Sequence, residues 1–125
     1  MRVLQVIDSL ARAGAEQSPA ALAPHLVAEG VDLHVAYLVE RDDLRPALER
    51  AGVTVTSLAT PDGRRHRRSW YRRLRRLVAA LAPDLVHTTL FEADLAGRRA
   101  ATHEGVPCAS SLVNSTYDPG QARRE

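Results

Sequence analysis

One short segment of this sequence offers backbone groups suited to binding an anion. Gly14-Ala15-Glu16 comes where a loop turns into a predicted helix, and a glycine there lets the backbone approach a ligand closely. A helix N-terminus adds unpaired N–H groups and the positive end of a dipole, which suit a phosphate. The same residues also fit an ordinary tight turn, and their spacing alone does not separate the two interpretations.

A second segment carries a side chain that could do acid–base chemistry. His87 ends the apolar run 85–87, which is typical of a buried strand. An imidazole at a strand end could act as a base or hydrogen-bond a hydroxyl group. The alternative is a histidine satisfied by the backbone, and it stays open. The other four histidines lie in separate elements without metal-ligand spacing, so no metal site is predicted.

The composition excludes several further kinds of chemistry. All 17 basic side chains are arginine, which rules out lysine-dependent mechanisms such as Schiff bases and P-loops. Cys108 is the only cysteine, so neither an internal disulfide nor a cysteine-based zinc cluster is expected. No G-x-G-x-x-G follows the first strand, so the dinucleotide fingerprint is missing and no cofactor is predicted.

The elements that must position these residues alternate along the whole chain. Strand patterns cover 3–7, 33–38, 53–56, 85–87 and 106–113. Helical patterns cover 15–29, 43–51, 69–82 and 89–104, and Thr89 and Glu92 have capping-box spacing at the start of the last one. This alternation predicts an α/β fold, a Rossmann-like open parallel sheet in the order 3-2-1-4-5 with helices on both faces.

The predicted strand order reverses between strands 1 and 4. Ligands of open α/β sheets bind at such a switch point, outside the carboxyl ends of the strands. The loops 8–14 and 87–91 follow those two strands. We therefore expect Gly14 and His87 to lie at one crevice.

Three segments, taken in order, resemble one known family. They are Arg2-Val3-Leu4-Gln5-Val6, Ala13-Gly14-Ala15-Glu16 and Asp84-Leu85-Val86-His87-Thr88-Thr89-Leu90-Phe91-Glu92-Ala93-Asp94. Together they resemble the N-terminal domain of retaining glycosyltransferases of family GT4, which have the two-domain GT-B architecture. Ala13 stands where that family has a first loop glycine, and Thr89 where it has a second histidine.

The resemblance implies a domain organisation and an activity. It places a glycosyltransferase N-terminal domain at 1–115 and a polar tail at 116–125, with the C-terminal nucleotide-sugar-binding domain absent. The intact enzyme would move a sugar from a nucleotide-sugar donor to a sugar or lipid-linked acceptor, with retention and without a metal. The chain would supply the acceptor side and be inactive alone.

The same resemblance assigns roles to individual residues. It implies that His87 is catalytic and lies near the transferred sugar or the acceptor. The residues that it implies for substrate binding are Gly14, Ala15, Glu16, Thr88, Thr89 and Asn114.

An arginine cluster surrounds the third predicted helix. Its apolar residues recur at helical spacing on one face, while Arg72, Arg73, Arg75 and Arg76 flank that face. An ordinary helix with a solvated arginine face explains this pattern. Attraction to an anionic membrane surface is the alternative that we keep. Nucleic acid is not predicted as a partner, because the net charge is only +2 and no recognisable binding fold is present.

Two hypotheses from different classes therefore remain. The first is a domain of a glycosyltransferase that is catalytically incomplete by itself. The second is a non-catalytic α/β module that binds a partner protein or an anionic membrane. No apolar run approaches the ~20 residues that span a bilayer, so either protein is expected in the cytoplasm, with peripheral attachment to the inner membrane face as an option.

Overall fold

The computed structural model describes residues 1–11, 14–60 and 66–111, and of residues 14–19 it describes the backbone. Asn114, Ala13 and the predicted tail at 116–125 lie outside these ranges. The strands are β1 (Arg2–Ile7), β2 (Asp32–Tyr37), β3 (Thr54–Ser57), β4 (Leu85–Thr89) and β5 (Cys108–Ser111). The helices are α1 (Gly14–Ala28), α2 (Arg45–Arg50), α3 (Arg67–Leu81) and α4 (Phe91–Glu104).

The strands form one parallel sheet in the order β3-β2-β1-β4-β5. This order confirms the predicted Rossmann-like topology, including the reversal between β1 and β4. β1 is buried at five of its six positions, as expected for a parallel strand that is covered on both faces.

Side chains alternate between two hydrophobic layers. On one face of the sheet, Leu4 and Val6 pack with residues of α3 and α4. On the other face, Val3 and Ile7 pack with residues of α1 and α2. The apolar face of α3 predicted from its spacing is confirmed, because Trp70, Leu74 and Val78 are buried at i, i+4 and i+8. Among the described helices, none is long and apolar enough to cross a membrane.

Small residues let α4 approach the sheet closely. Ala93, Ala96, Gly97 and Ala100 form its buried face. A Cβ atom on Gly97 would lie 2.5 Å from the side-chain methyl group of Thr88. Only a glycine fits here, so α4 sits directly against β4.

The predicted capping box at the start of α4 is wrong. Thr89 belongs to β4, and the residue at the N-cap is Leu90, which makes no side-chain cap. The cap comes instead from Asp8, the residue directly after β1, because the backbone N–H of Ala93 donates to Asp8 Oδ1 at 2.7 Å. The Glu92 carboxylate, which the capping box would have used, binds Arg67.

Candidate functional site

The switch point of the sheet lies between two strands that end side by side. Ile7 pairs with Thr89 at the carboxyl ends of β1 and β4. The chain then leaves β1 toward α1 and leaves β4 toward α4. The segments that follow both strands therefore border the same edge of the sheet, where ligands of open α/β folds bind.

Asp8 ties the elements around this edge together. Its carboxylate accepts the N–H of Ala93, and its backbone carbonyl accepts the N–H groups of Leu38 at 3.1 Å and Val39 at 2.8 Å. The positive end of α4 is thus capped by a carboxylate of the protein itself. Asp8 was missed as a site-building residue, and its only sequence signal is an acidic residue directly after the first strand.

The turn from β4 into α4 holds a strained residue. Leu90 has φ 78° and ψ 168°, a region that is essentially restricted to glycine and costs of order 1–3 kcal/mol for other residues. The half-buried Leu90 side chain packs against the core beneath α1 and α2. Strain of this kind clusters at active sites and ligand clamps, and here it lies beside the switch point.

His87 lies inside β4 rather than at its end, because the strand continues to Thr89. It is paired with Gln5 of β1 and Ala109 of β5, and its side chain is half-buried. Strand alternation puts it on the face that carries α1 and α2. Burial lowers the pKa of His87 below its ordinary value of 6.5, so the imidazole is neutral at neutral pH and retains a basic nitrogen.

Thr88 points to the opposite face and is fully buried. Its hydroxyl donates to Asp94 Oδ1 at 2.8 Å, and its oxygen lies 3.0 Å from the Ser110 hydroxyl oxygen. Ser110 and Arg98 also donate to Asp94. Burial raises the pKa of Asp94, but the hydrogen bonds from Ser110 and Thr88 together with the charge of Arg98 outweigh it and lower the pKa overall.

Thr89 returns to the first face and is also buried. It lines a cavity of about 10 Å³ together with Gln5 and Leu10. This volume holds at most about one water molecule. In this structure, Thr89 is therefore closed to ligands larger than a water molecule.

The structure describes some of the other residues predicted to bind substrate, but not all of them. Gly14, Ala15 and Glu16 form the first turn of α1, so the helix starts one residue before the predicted Ala15. The backbone N–H groups of this turn are the positive end of the helix. Asn114 lies outside the described residues, and its role stays a prediction.

The four arginines predicted to face a membrane divide into two kinds. Arg73 donates to the carbonyl of Ala59 at 2.9 Å, and Arg75 pairs with Glu104 at 3.1 Å. For Arg72 and Arg76, the part of the chain that is described holds no hydrogen-bond or ion-pair partner. With Arg68, which is in the same state, they form a stripe at i, i+4 and i+8 along α3, called here the arginine stripe.

The arginine stripe borders an open concave surface. Its cavity of about 590 Å³ is also lined by His66, Ser69 and Arg73. No acidic residue lies in the first turn of α3, so the positive helix end and the guanidinium groups reinforce one another. Within the described ranges, no group of three or more histidine, cysteine or acidic residues is arranged to hold a metal ion.

Comparisons with known proteins address the family and the fold. The model of the family described as "Glycosyl transferase 4-like domain" matches residues 13–125. No curated protein matches the chain. MurG from Acinetobacter baumannii superimposes with a TM-score of 0.71 at 14% identity, over 98% of this chain and 38% of that one.

Two further solved structures share the fold. UDP-GlcNAc 2-epimerase from Neisseria meningitidis, bound to UDP-GlcNAc, gives a TM-score of 0.66 at 16% identity, over 99% of this chain and 37% of that one. The calicheamicin glycosyltransferase CalG4 gives 0.64 at 16% identity, over 98% and 36%.

These identities show a shared fold and no more, and the chain spans about a third of the length of each of these proteins. The family match covers most of the chain, and it confirms the resemblance to family GT4. The chain belongs to the glycosyl transferase 4-like domain family.

Proposed function

We propose that this chain is the acceptor-side N-terminal domain of a retaining, metal-independent glycosyltransferase. The intact enzyme would move a sugar from a nucleotide-sugar donor to a sugar or lipid-linked acceptor. The observation that carries the proposal is the strained Leu90 turn beside the switch point, in a chain of this family. Strain is retained where function requires it, and the switch point is where ligands of such folds bind.

The helix ends at this edge differ in what they can bind. The N-terminus of α4 already holds the Asp8 carboxylate. The N-terminus of α1 begins at Gly14 and has the glycine that close approach by a diphosphate requires. We assign the backbone of residues 14–16 to the donor diphosphate or the acceptor.

His87 is the residue that we assign to the sugar or acceptor hydroxyl. A neutral imidazole can accept a proton or a hydrogen bond at neutral pH, and burial keeps the ring in that state. Thr89, whose side chain is buried, and Asn114 are assigned to substrate binding from the family resemblance alone. Thr88 could contribute to the proposed binding surface only through its backbone, because its hydroxyl is hydrogen-bonded to Asp94 and lies beside Ser110.

A transfer assay tests the proposal. The protein encoded by the full gene is incubated with a panel of sugar nucleotides and acceptors, with and without EDTA, and the anomeric configuration of the product is read by NMR. We expect transfer with retention that EDTA does not affect. Inversion of configuration, or loss of activity with EDTA, would contradict the mechanism.

The 125-residue chain by itself provides the matched control. Active sites of the GT-B architecture lie between two domains, so the chain alone should release no nucleoside diphosphate above background. Turnover by the chain alone would contradict the assignment as one half of an active site.

A second candidate function is attachment to an anionic membrane surface, and the arginine stripe favours it. The apolar side chains of α3 are buried in the core, so attachment would rest on charge alone. Each basic residue near such a surface contributes about 1 kcal/mol, and salt screens it. Binding should therefore be weak and salt-sensitive.

Vesicle co-sedimentation at low and high salt tests this second function. Anionic vesicles should bind the chain at low salt and neutral vesicles should not. Replacing Arg72 and Arg76 with Gln should abolish binding, whereas replacing Arg41 and Arg50, which are exposed elsewhere, should not. If the chain bound both kinds of vesicle equally, or if both variants bound anionic vesicles equally well, α3 would be an ordinary solvated helix without a role in membrane binding.

A further inference from the structure

Helices α3 and α4 pack side by side, and a groove runs between them that the proposed crevice does not use. One end of the groove is a cavity of about 160 Å³, whose lining combines the apolar Trp70, Leu95 and Ala96 with Arg67, Tyr71, Glu92 and Arg99. Leu95 is 40% exposed there, and Phe91, one turn earlier on α4, is 66% exposed. A partly exposed leucine in the wall of a cavity offers an apolar surface to a ligand.

The wall of this cavity also contains a polar group without a partner. Trp70 is 1% exposed, and its indole Nε1 has no hydrogen-bond acceptor in the described structure. A buried N–H of this kind is rare, because the donor gives up its hydrogen bond to water and gains none from the protein. Because Trp70 lines the cavity, a ligand that entered it would contact the tryptophan side chain.

The other end of the groove is cationic. A cavity of about 440 Å³ has arginines and Tyr71 as its lining, and no carboxylate among the described residues lines it. Arg68, Arg72 and Arg99 lack an ion-pair partner in the ranges the structure covers. Arg99 lies 4.7 Å above the Tyr71 ring, an arrangement that fixes the guanidinium group while leaving its N–H donors available.

The two cavities form one groove because they share part of their lining. Arg67, Tyr71 and Arg99 border both of them. Arg67 donates two hydrogen bonds to the Glu92 carboxylate at 3.0 and 2.8 Å. Glu92 belongs to α4, so this ion pair fixes Arg67 where the two cavities meet. The cavity that contains Trp70 and Leu95 and the arginine-lined cavity are therefore adjacent.

We propose that this groove binds an anionic amphiphile, a molecule with an alkyl chain and a phosphate head. The chain would lie against Trp70 and Leu95, and the phosphate would bind Arg68, Arg72 and Arg99. Arginine is suited to phosphate because its planar donors bind two oxygens at once. The inference does not depend on the proposed transferase activity.

Other anionic partners fit the groove less well. Single-stranded nucleic acid needs open aromatic faces for base stacking, and Arg99 covers Tyr71. An extended peptide needs a free sheet edge or a long apolar channel, whereas the described lining consists of side chains from two helices. Free phosphate would leave the apolar end unused.

Trp70 makes the test specific, because it is the only tryptophan in the chain. The 125-residue chain is titrated with decyl phosphate below its micelle concentration, and the fluorescence of Trp70 and the NMR signal of its indole N–H are followed. We expect a saturable shift of both signals. Inorganic phosphate and decyl maltoside, tested alone, should each bind at least about tenfold more weakly.

Matched variants separate the two ends of the groove. Arg68→Gln with Arg72→Gln should weaken decyl phosphate binding at least about tenfold and leave decyl maltoside binding unchanged. Leu95→Ser should weaken the binding of both alkyl compounds. Arg41→Gln with Arg50→Gln removes the same charge elsewhere and should change neither.

Several results would overturn the proposal. They are equal affinity for decyl phosphate and decyl maltoside, equal affinity for inorganic phosphate and decyl phosphate, an unchanged indole signal at saturating decyl phosphate, and tighter binding of an acidic peptide such as hexaglutamate. Loss of binding in the Arg41 and Arg50 control would show that net charge, rather than the groove, is responsible.

Discussion

Neighbouring polar residues on the two faces of β4 differ in burial and in hydrogen bonding. On the face of α3 and α4, the Thr88 hydroxyl is fully buried and hydrogen-bonded to Asp94 and Ser110. On the face of α1 and α2, His87 is half-buried, and burial alone accounts for the lowering of its pKa. A single strand thus carries a hydrogen-bonded polar network on one side and a half-buried imidazole on the other.

The contrast between the faces separates architecture from function. The network around Asp94 joins β4, β5 and α4, and its members satisfy one another, as buried polar groups must. His87 lies on the opposite face of the strand, where its neighbours in the sheet are Gln5 and Ala109. Mutations should therefore cost stability on the first face and activity on the second.

The largest effect on stability is expected from Gly97→Ala. The new Cβ would meet the Thr88 methyl group at 2.5 Å, and the Thr88 side chain cannot rotate away without breaking its hydrogen bonds. Overpacking of this kind costs about 1–3 kcal/mol, measured by urea unfolding.

The clash can be relieved without losing the network. Thr88→Ser keeps the hydroxyl and removes the methyl group. In the Gly97→Ala background it should restore most of the lost stability, whereas in the wild type it should cost stability. Additive destabilisation in the double variant would show that the close approach of α4 is not the cause.

A loss of comparable size is expected from Thr88→Val. The change keeps the shape of the side chain but removes a hydroxyl that serves Asp94 and Ser110. Leaving buried partners unsatisfied costs about 1–3 kcal/mol, and Asp94 should titrate at higher pH in the variant. An unchanged free energy of unfolding would argue that the network contributes nothing.

Most of the fold could be predicted from the sequence, because local periodicity determines it. The apolar runs and the helical spacing of Trp70, Leu74 and Val78 predicted the element order and the sheet topology. A prediction from a short motif was wrong where a residue distant in sequence made the contact instead. The motif predicted a capping box at Thr89, but the N–H of Ala93 is capped by Asp8, which is 85 residues away in sequence.

The candidate site was predictable only in outline. The switch point follows from strand order, so residues 14–16 and His87 could be placed near one edge from the sequence. β4 proved two residues longer than its apolar run, so His87 lies inside the strand and not at its end. The long-range partners of Arg73 and Arg75 leave no local signal at all.

The strain at Leu90 can be measured by comparing two truncations. Leu90→Ala and Leu90→Gly both remove the packing of the side chain, but only glycine adopts the observed backbone without strain. The Gly variant should be more stable than the Ala variant by about 1–2 kcal/mol. Equal stability of the two would mean that the turn stores no strain.

The smallest effect is a pH dependence assigned to His87. Because burial lowers its pKa in the folded state below 6.5, protonation favours the unfolded chain. The stabilisation is fully present above pH 6.5 and is lost as the pH falls toward the folded-state pKa, by at most about 1.4 kcal/mol per pH unit. His87→Gln should flatten this part of the profile, and an unchanged slope would exclude His87 as its source.

We propose that the His87 face of β4 serves sugar transfer, whereas the Thr88 face serves the fold. The most direct measurement is kcat, with the free energy of unfolding beside it, for His87→Ala and Thr88→Ser in the protein encoded by the full gene. We predict that His87→Ala lowers kcat about a hundredfold or more with little change in unfolding, and that Thr88→Ser lowers stability with kcat within about threefold. A His87→Ala variant that is fully active, or one that loses its fold, would contradict the account.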